Sequence, residues 1–316
     1  MTLTIVGEFS EGYGRQIAFS ARDDLWVTVE TAQFHVWRSS ERLYSIPLGG
    51  HSGGNPRFSR DGRWLFLGTR IFDLSQRSFV ELPPLDSALV AEIDAQANPR
   101  ADLFEISSTA WSPDGEDLVI YTQYRPPRLA GRDWKYTGPW KRVLLLKGQT
   151  RQYAATLLKT NTSEEYNALD VSDNFIAAGG LAVIIWHRGV GERAAVLEGS
   201  DVFFRDVRFN GEGSLLAGAA WDGKVTVWEA RNWGVVASWV AHEDFARCLA
   251  FHPHQSLLAS GGGDSNLNLW RISANAERVE SLNVGAKVIA LAFQPNGEGL
   301  AAALDDGRLL LCRYSG

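Results

Sequence analysis

The stretch Ser256–Trp270, SLLASGGGDSNLNLW, decides how this chain is read, because its pattern returns at a fixed distance on both sides. Ser214–Trp228 (SLLAGAAWDGKVTVW) stands 42 residues upstream, and Glu298–Cys312 (EGLAAALDDGRLLLC) stands 42 residues downstream. One further step back reaches Trp186, at the end of NFIAAGGLAVIIW. Self-similarity at this period is the signature of a repeat architecture built from one supersecondary unit.

Within one unit, VVASWV (235–240), RCLAF (247–251), LLASG (257–261) and LNLWRI (267–272) alternate or run apolar, separated by AHEDF, HPHQS and the turn Asp264-Ser265-Asn266. Period-two alternation punctuated by Gly, Asp and Asn marks strands and turns, and four strands in roughly 40–45 residues make a β-propeller blade. An aromatic-turn-apolar motif recurs near Phe19, Phe58, Trp111, Val171, Phe209, Phe251 and Phe293, which predicts seven blades in one domain over residues 1–316. The last unit ends without room for a fourth strand, while LTIVGE (3–8) precedes Phe19 as VVASWV precedes Phe251. The first strand is therefore expected to complete the last blade, which closes the ring and removes an exposed end.

These residues resemble the WD-repeat β-propellers. The resemblance rests on His242, on FHPHQSLLAS where the family has an aromatic residue, a turn and a serine, and on Asp264 placed before Trp270. It implies an all-β seven-bladed fold, an interaction scaffold rather than an enzyme, and a hydrogen-bonded bracket made by His242, Ser260, Asp264 and Trp270. Those groups also form a Ser/His/Asp set that catalysis could use. With no G-x-S-x-G elbow and no sign of an oxyanion hole, the structural reading is adopted. The preceding unit has Ser200 and Gly218 at the histidine and serine places, and the last has Val284, Ala302 and Cys312, so apolar strands must supply most of the cohesion.

Composition narrows the function classes. A net charge of -6 gives no general attraction to nucleic acid or acidic membranes. Two cysteines, Cys248 and Cys312, offer no disulfide framework and suit a reducing, cytoplasmic compartment; they read as small apolar strand residues. The N-terminus lacks the marks of a signal peptide, and no apolar run approaches a membrane span. No cofactor motif stands out: Gly261-Gly262-Gly263 reads as a hairpin turn, and His252 and His254 as a surface turn rather than a metal site. No carboxylate or histidine cluster is expected at the central channel.

What remains is a surface. Blade-start and pre-turn positions that the resemblance marks as partner-facing hold Tyr13, Arg15, Phe203, Arg205, Trp221, Phe245, Arg247 and Lys287, against Glu105 and Glu165 on the opposite side of the ring. Aromatics with arginines compose an interaction hot spot, suited to a protein or peptide partner with apolar and acidic residues. The protein is expected as a monomer or as a subunit of a hetero-complex. Two insertions, at about 83–104 and 123–142, should leave from this same face; the first carries a candidate helix over Ser87–Ala95. The second interleaves Arg125, Arg128, Arg132, Lys135, Lys141 and Arg142 with Tyr124, Trp134, Tyr136 and Trp140. That mixture fits single-stranded RNA or DNA, an acidic protein partner, or cover for the rim.

Overall fold

The computed structural model describes residues 2–9, 16–20, 24–30, 32–39, 41–49, 56–59, 61–80, 104–124, 141–147, 152–160, 166, 168–198 and 201–315. They form seven four-stranded antiparallel sheets. Counting outward from the axis, blade one holds β2 (Gln16–Phe19), β3 (Leu25–Val29), β4 (Gln33–Arg38) and β5 (Glu41–Pro47). Blade two holds β6 (Arg57–Phe58), β7 (Trp64–Leu67), β8 (Arg70–Asp73) and β9 (Ser78–Phe79), and blade three β10 (Phe104–Trp111), β11 (Asp117–Tyr124), β12 (Lys141–Lys147) and β13 (Gln152–Thr160). Blade four holds β14 (Ala168–Val171), β15 (Phe175–Gly179), β16 (Val183–His187) and β17 (Arg193–Leu197). Blade five follows with β18 (Phe204–Phe209), β19 (Leu215–Ala220), β20 (Lys224–Glu229) and β21 (Val235–Val240). Blade six has β22 (Ala246–Phe251), β23 (Leu257–Gly262), β24 (Asn266–Ile272) and β25 (Ala276–Asn283), and blade seven β26 (Val288–Phe293), β27 (Gly299–Leu304) and β28 (Leu309–Ser315).

The fourth strand of blade seven is β1 (Thr2–Phe9), which pairs antiparallel with β28 from Thr2 opposite Ser315 to Phe9 opposite Leu309. The expected closure by the first strand is therefore present. Every predicted aromatic-turn position lies at the end of an innermost strand: Phe19, Phe58, Trp111, Val171, Phe209, Phe251 and Phe293.

Cohesion comes from between the blades. Seven apolar clusters each join two neighbouring sheets, from Val27, Phe34 and Phe72 across blades one and two to Ile17, Trp37 and Ala301 across blades one and seven. A sheet covered on both faces has little need of polar alternation, which is why strands such as Leu257–Gly262 are buried at every residue. Burying this surface is the main favourable term of folding.

The glycine triplet differs from expectation. Gly261 and Gly262 are strand residues in β23, and only Gly263 enters the hairpin turn. A Cβ on Gly261 would stand 2.4 Å from Val288 Cγ1 of the next blade, and one on Gly262 would stand 2.4 Å from Nδ1 of His242. The absence of side chains serves close packing here rather than chain reversal.

His252 also departs from the surface-turn reading, for it is 5% exposed. Its Nδ1 accepts from the backbone N–H groups of His254 and Gln255, each at 3.0 Å. Its Nε2–H then reaches the Gly297 carbonyl of blade seven at 3.1 Å. Asn210 holds the same place in blade five and accepts from Ser214 and Leu215, and Ser112 does so in blade three by accepting from Asp117. The residue after the inner-strand aromatic is thus a cap for the following turn. Histidine is long enough to cap its own turn and reach the next blade.

Candidate functional site

In antiparallel blades, connections between blades and hairpins between second and third strands leave from the same end. On blades five to seven these two elements are tied by one repeated backbone bond: Trp221 N–H to Phe203 C=O at 2.9 Å, Gly263 to Phe245 at 2.9 Å, and Asp305 to Lys287 at 3.0 Å. The bond places the residues singled out in the sequence side by side around the channel mouth.

A second device aims the arginines. Each innermost strand here carries a bulge, between Phe204 and Asp206, between Ala246 and Cys248, and between Val288 and Ala290. The skipped residues are Arg205, Arg247 and Ile289. A bulge leaves its extra residue unpaired and redirects it. All three line the central channel, a cavity of about 570 Å³.

Trp221, 51% exposed, stacks on Phe245 of the next blade with ring centroids 5.1 Å apart and planes at 24°. The Arg205 guanidinium lies 4.4 Å from the Trp221 ring centre and 5.5 Å from that of Phe245. Lys287 Nζ approaches Phe245 at 5.5 Å. Four predicted residues from three blades therefore form one cation–aromatic cluster, and such contacts contribute about 0.5–1 kcal/mol each at exposed sites. Burial, with the neighbouring Arg247 charge, lowers the Arg205 pKa below the ordinary guanidinium value. Phe203 is half-buried at the edge of the group.

Below the mouth the channel is more polar than expected. Arg57 donates to Asp170 Oδ1 at 2.5 Å, and Arg208 pairs with Asp206 at 3.1 Å. The second oxygens of both carboxylates are used as well: Asp170 accepts from Phe209 N–H at 2.8 Å and Asp206 from Leu249 N–H at 2.9 Å. Burial pushes the Asp206 carboxyl up, against the opposing pull of Arg208. Asp206, paired with Arg208, thus lines the channel, a carboxylate that the sequence reading did not place there. Asp170 joins blades through both oxygens and Asp206 through Oδ2, while Asp206 Oδ1 meets Arg208 of its own strand, which accounts for these buried carboxylates by pairing alone.

The bracket assembles as expected. His242 contacts Asp264 through Nδ1 at 2.9 Å and Ser260 through Nε2 at 2.8 Å, and Trp270 Nε1–H donates to the same serine oxygen at 2.8 Å. Ser260 is fully buried, so no substrate can reach the hydroxyl. In blade five, Phe204 fills the space beside Gly218, edge-on to Trp228 at 5.8 Å. Blade one keeps half of the bracket, Trp37 donating to Thr28 at 3.0 Å. It also holds a set the sequence reading missed: His35 touches Glu30 and Ser45, each at 2.7 Å. Nothing in the 42-residue spacing marks that set, because it lies outside the family's positions.

Tyr13, Arg15 and Glu165 lie outside the described residues, as do Arg125, Arg128, Arg132, Lys135, Trp134, Tyr136 and Trp140, the Ser87–Ala95 helix and most of both insertions. The second insertion begins later and ends earlier than its sequence bounds suggest, since β11 runs to Tyr124 and β12 starts at Lys141. Arg142 is a buried strand residue opposite Thr122, not part of an exposed loop. Among the described residues no group of three or more His, Cys, Asp or Glu could hold a metal ion, and no helix is long and apolar enough to cross a membrane.

Fold and site together define a repeat propeller with an elaborated mouth. The family model described as "WD domain, G-beta repeat" matches residues 191–229 and 233–271. Two repeats of the chain, on blades five and six, thus match the WD-repeat family within a seven-bladed propeller. Periodic tryptophan protein 2 homolog of Schizosaccharomyces pombe is 29% identical over 111 residues, 35% of this chain and 13% of that protein. Small ribosomal subunit protein RACK1 of Neurospora crassa is 32% identical over 99 residues, 31% of this chain and 31% of that protein. The matched stretch thus spans about a third or less of these curated relatives. A chain of the "Crystal Structure of Mitotic Checkpoint Complex" superposes with a TM-score of 0.72 at 17% identity, covering 99% of this chain and 95% of that one; this likeness concerns the fold alone.

Proposed function

We propose that the protein is a non-enzymatic interaction platform that takes a protein or peptide partner at the loop-bearing mouth of blades five to seven. The observation that carries this reading is the half-exposed Trp221 stacked on Phe245 and flanked by Arg205 and Lys287. A rigid aromatic on a closed ring offers large contact area at little ordering cost, and Trp, Tyr and Arg are the residue types that dominate interface energetics. Kinship with a protein named for the small ribosomal subunit supports membership of a hetero-complex. Two buried free thiols, Cys248 and Cys312, support a reducing, cytoplasmic setting.

Affinity capture with the intact protein, repeated with Trp221→Ala combined with Arg247→Glu, tests the assignment. Loss of one or more captured partners from the double variant is expected, with its melting transition unchanged. An unaltered partner set would place the binding surface elsewhere.

A further inference from the structure

The outermost strand of each blade ends its sheet and leaves a row of backbone N–H and C=O groups on the rim without a strand beside it. Such an edge is a template for another strand, and a charged residue in it is the common protection. Among the described outer strands longer than two residues, the sequences of all but one hold a charge: Glu8 in β1, Glu41 in β5, Lys159 in β13, Arg193 in β17 and Glu277 in β25. The exception is β21 of blade five, VVASWV. A bulge at Val236 interrupts its start, but Ala237–Val240 runs in regular register against Val227–Lys224. Ala241 N–H donates inward to the Gly223 carbonyl at 2.9 Å, so alternation turns the backbone groups of Ser238 and Val240 outward. At the two ends of the strand Val235 is 59% exposed and Val240 65%.

We propose that β21 pairs antiparallel with β21 of a second copy of this chain, joining two four-stranded blades into one continuous sheet across a two-fold axis. Charge selects the occupant. Exposed Arg231 precedes the strand, and exposed Glu243 and Asp244 follow it. A two-fold contact uses the same patch on both copies. Antiparallel self-pairing therefore lays the Arg231 end of each copy beside the Glu243–Asp244 end of the other, so that both ends of the contact bring opposite charges together. The same symmetry sets each Val235 near the Val240 end of its counterpart, and the exposed valines cover one another. Cross-strand pairs of both kinds stabilise a sheet, whereas a parallel arrangement would place like charges side by side. Because β21 lies on the rim, at the opposite edge of the blade from the innermost strand β18, the pairing leaves the channel mouth open and stands apart from the reading of that face.

Sedimentation equilibrium of the full chain tests the pairing. The wild type should form a dimer that dissociates on dilution through about 1–100 μM, the range of a small interface. Val240→Lys should weaken that dimer at least tenfold, roughly 1.4 kcal/mol, with the melting transition kept. Val235→Glu alone should weaken it too. Combining the two substitutions in one chain sets a carboxylate beside each new lysine across the axis and should restore the dimer, a rescue that damage to the fold could not produce. A wild type that stays monomeric throughout that range, a dimer indifferent to Val240→Lys, or a double variant no tighter than Val240→Lys alone overturns the pairing. A monomeric wild type that captures a different protein, and loses it with Val240→Lys, assigns the edge to a foreign strand and overturns the dimer as well.

Discussion

The ring of Phe245 lies where a side chain on Gly263 would stand: a Cβ there would be 2.7 Å from its Cε1. The equivalent place holds Trp221 in blade five and Asp305 in blade seven. Only a bare residue lets Phe245 lie flat against Trp221. The Gly263→Ala protein should therefore fold normally but splay the stack, with a loss of about 1 kcal/mol in partner affinity, roughly fivefold in Kd. Titration calorimetry with a captured partner reads this; wild-type affinity would remove the stack from the interface.

Ser260 receives both Trp270 and His242. In the Ser260→Ala protein the buried indole N–H loses its acceptor and the imidazole loses one partner. Urea denaturation should show a loss of about 1–3 kcal/mol, the cost of stranding buried polar groups. Gly218 at the same place in blade five tolerates no such test, since Phe204 already fills it.

Two histidines set an acid-side slope. Burial lowers the pKa of His242 below the usual 6.5 despite the pull of Asp264. Burial also lowers that of His252, helped by the charge of His254. The unfolded chain therefore takes up protons that the folded chain refuses, so stability is complete above pH 6.5 and falls as pH drops below it. At His252 geometry adds to burial: a proton on Nδ1 would displace two backbone N–H donors. The His252→Asn protein, with the cap that Asn210 provides in blade five, should keep its stability near neutrality and show a shallower decline toward about pH 5.5. An unchanged slope in denaturation midpoints would exclude His252 as a contributor.

Removal of residues 2–9 strips β1 from β28 and takes away Leu3, which packs into the cluster between blades six and seven. A sharp drop in melting temperature and concentration-dependent association through the bared edge are expected. Scanning calorimetry and light scattering would show both; a transition like that of the full chain would mean that closure adds no stability.

How far the sequence could be read follows from what each interaction repeats. Trp186, Trp228 and Trp270 sit at equal steps because each ends a buried third strand, so their spacing carried the fold. Closure was legible because β1 fills a place the repeat left empty. Arg205, Trp221, Phe245 and Lys287 could be placed because the bulges and backbone ties that aim them recur at the same step. Contacts that cross from one blade to the next leave no such trace. Asp206 meets the N–H of Leu249, and any residue has an N–H; nothing in the sequence marks that pairing. His252 looked like a surface residue for the same reason, since the Gly297 carbonyl that buries it belongs to another repeat.

Those crossings differ at every joint where they occur. Arg188 grips Asp117 and Asp114 between blades three and four. Asp170 holds Phe209 between four and five, Asp206 holds Leu249 between five and six, and His252 reaches Gly297 between six and seven. The last three of these end on a backbone N–H or carbonyl, which any blade supplies, whereas the first joins side chains at both ends. A transposed blade could still meet the former and would lose the latter, so the adjacency of blades three and four is written in Arg188, Asp114 and Asp117.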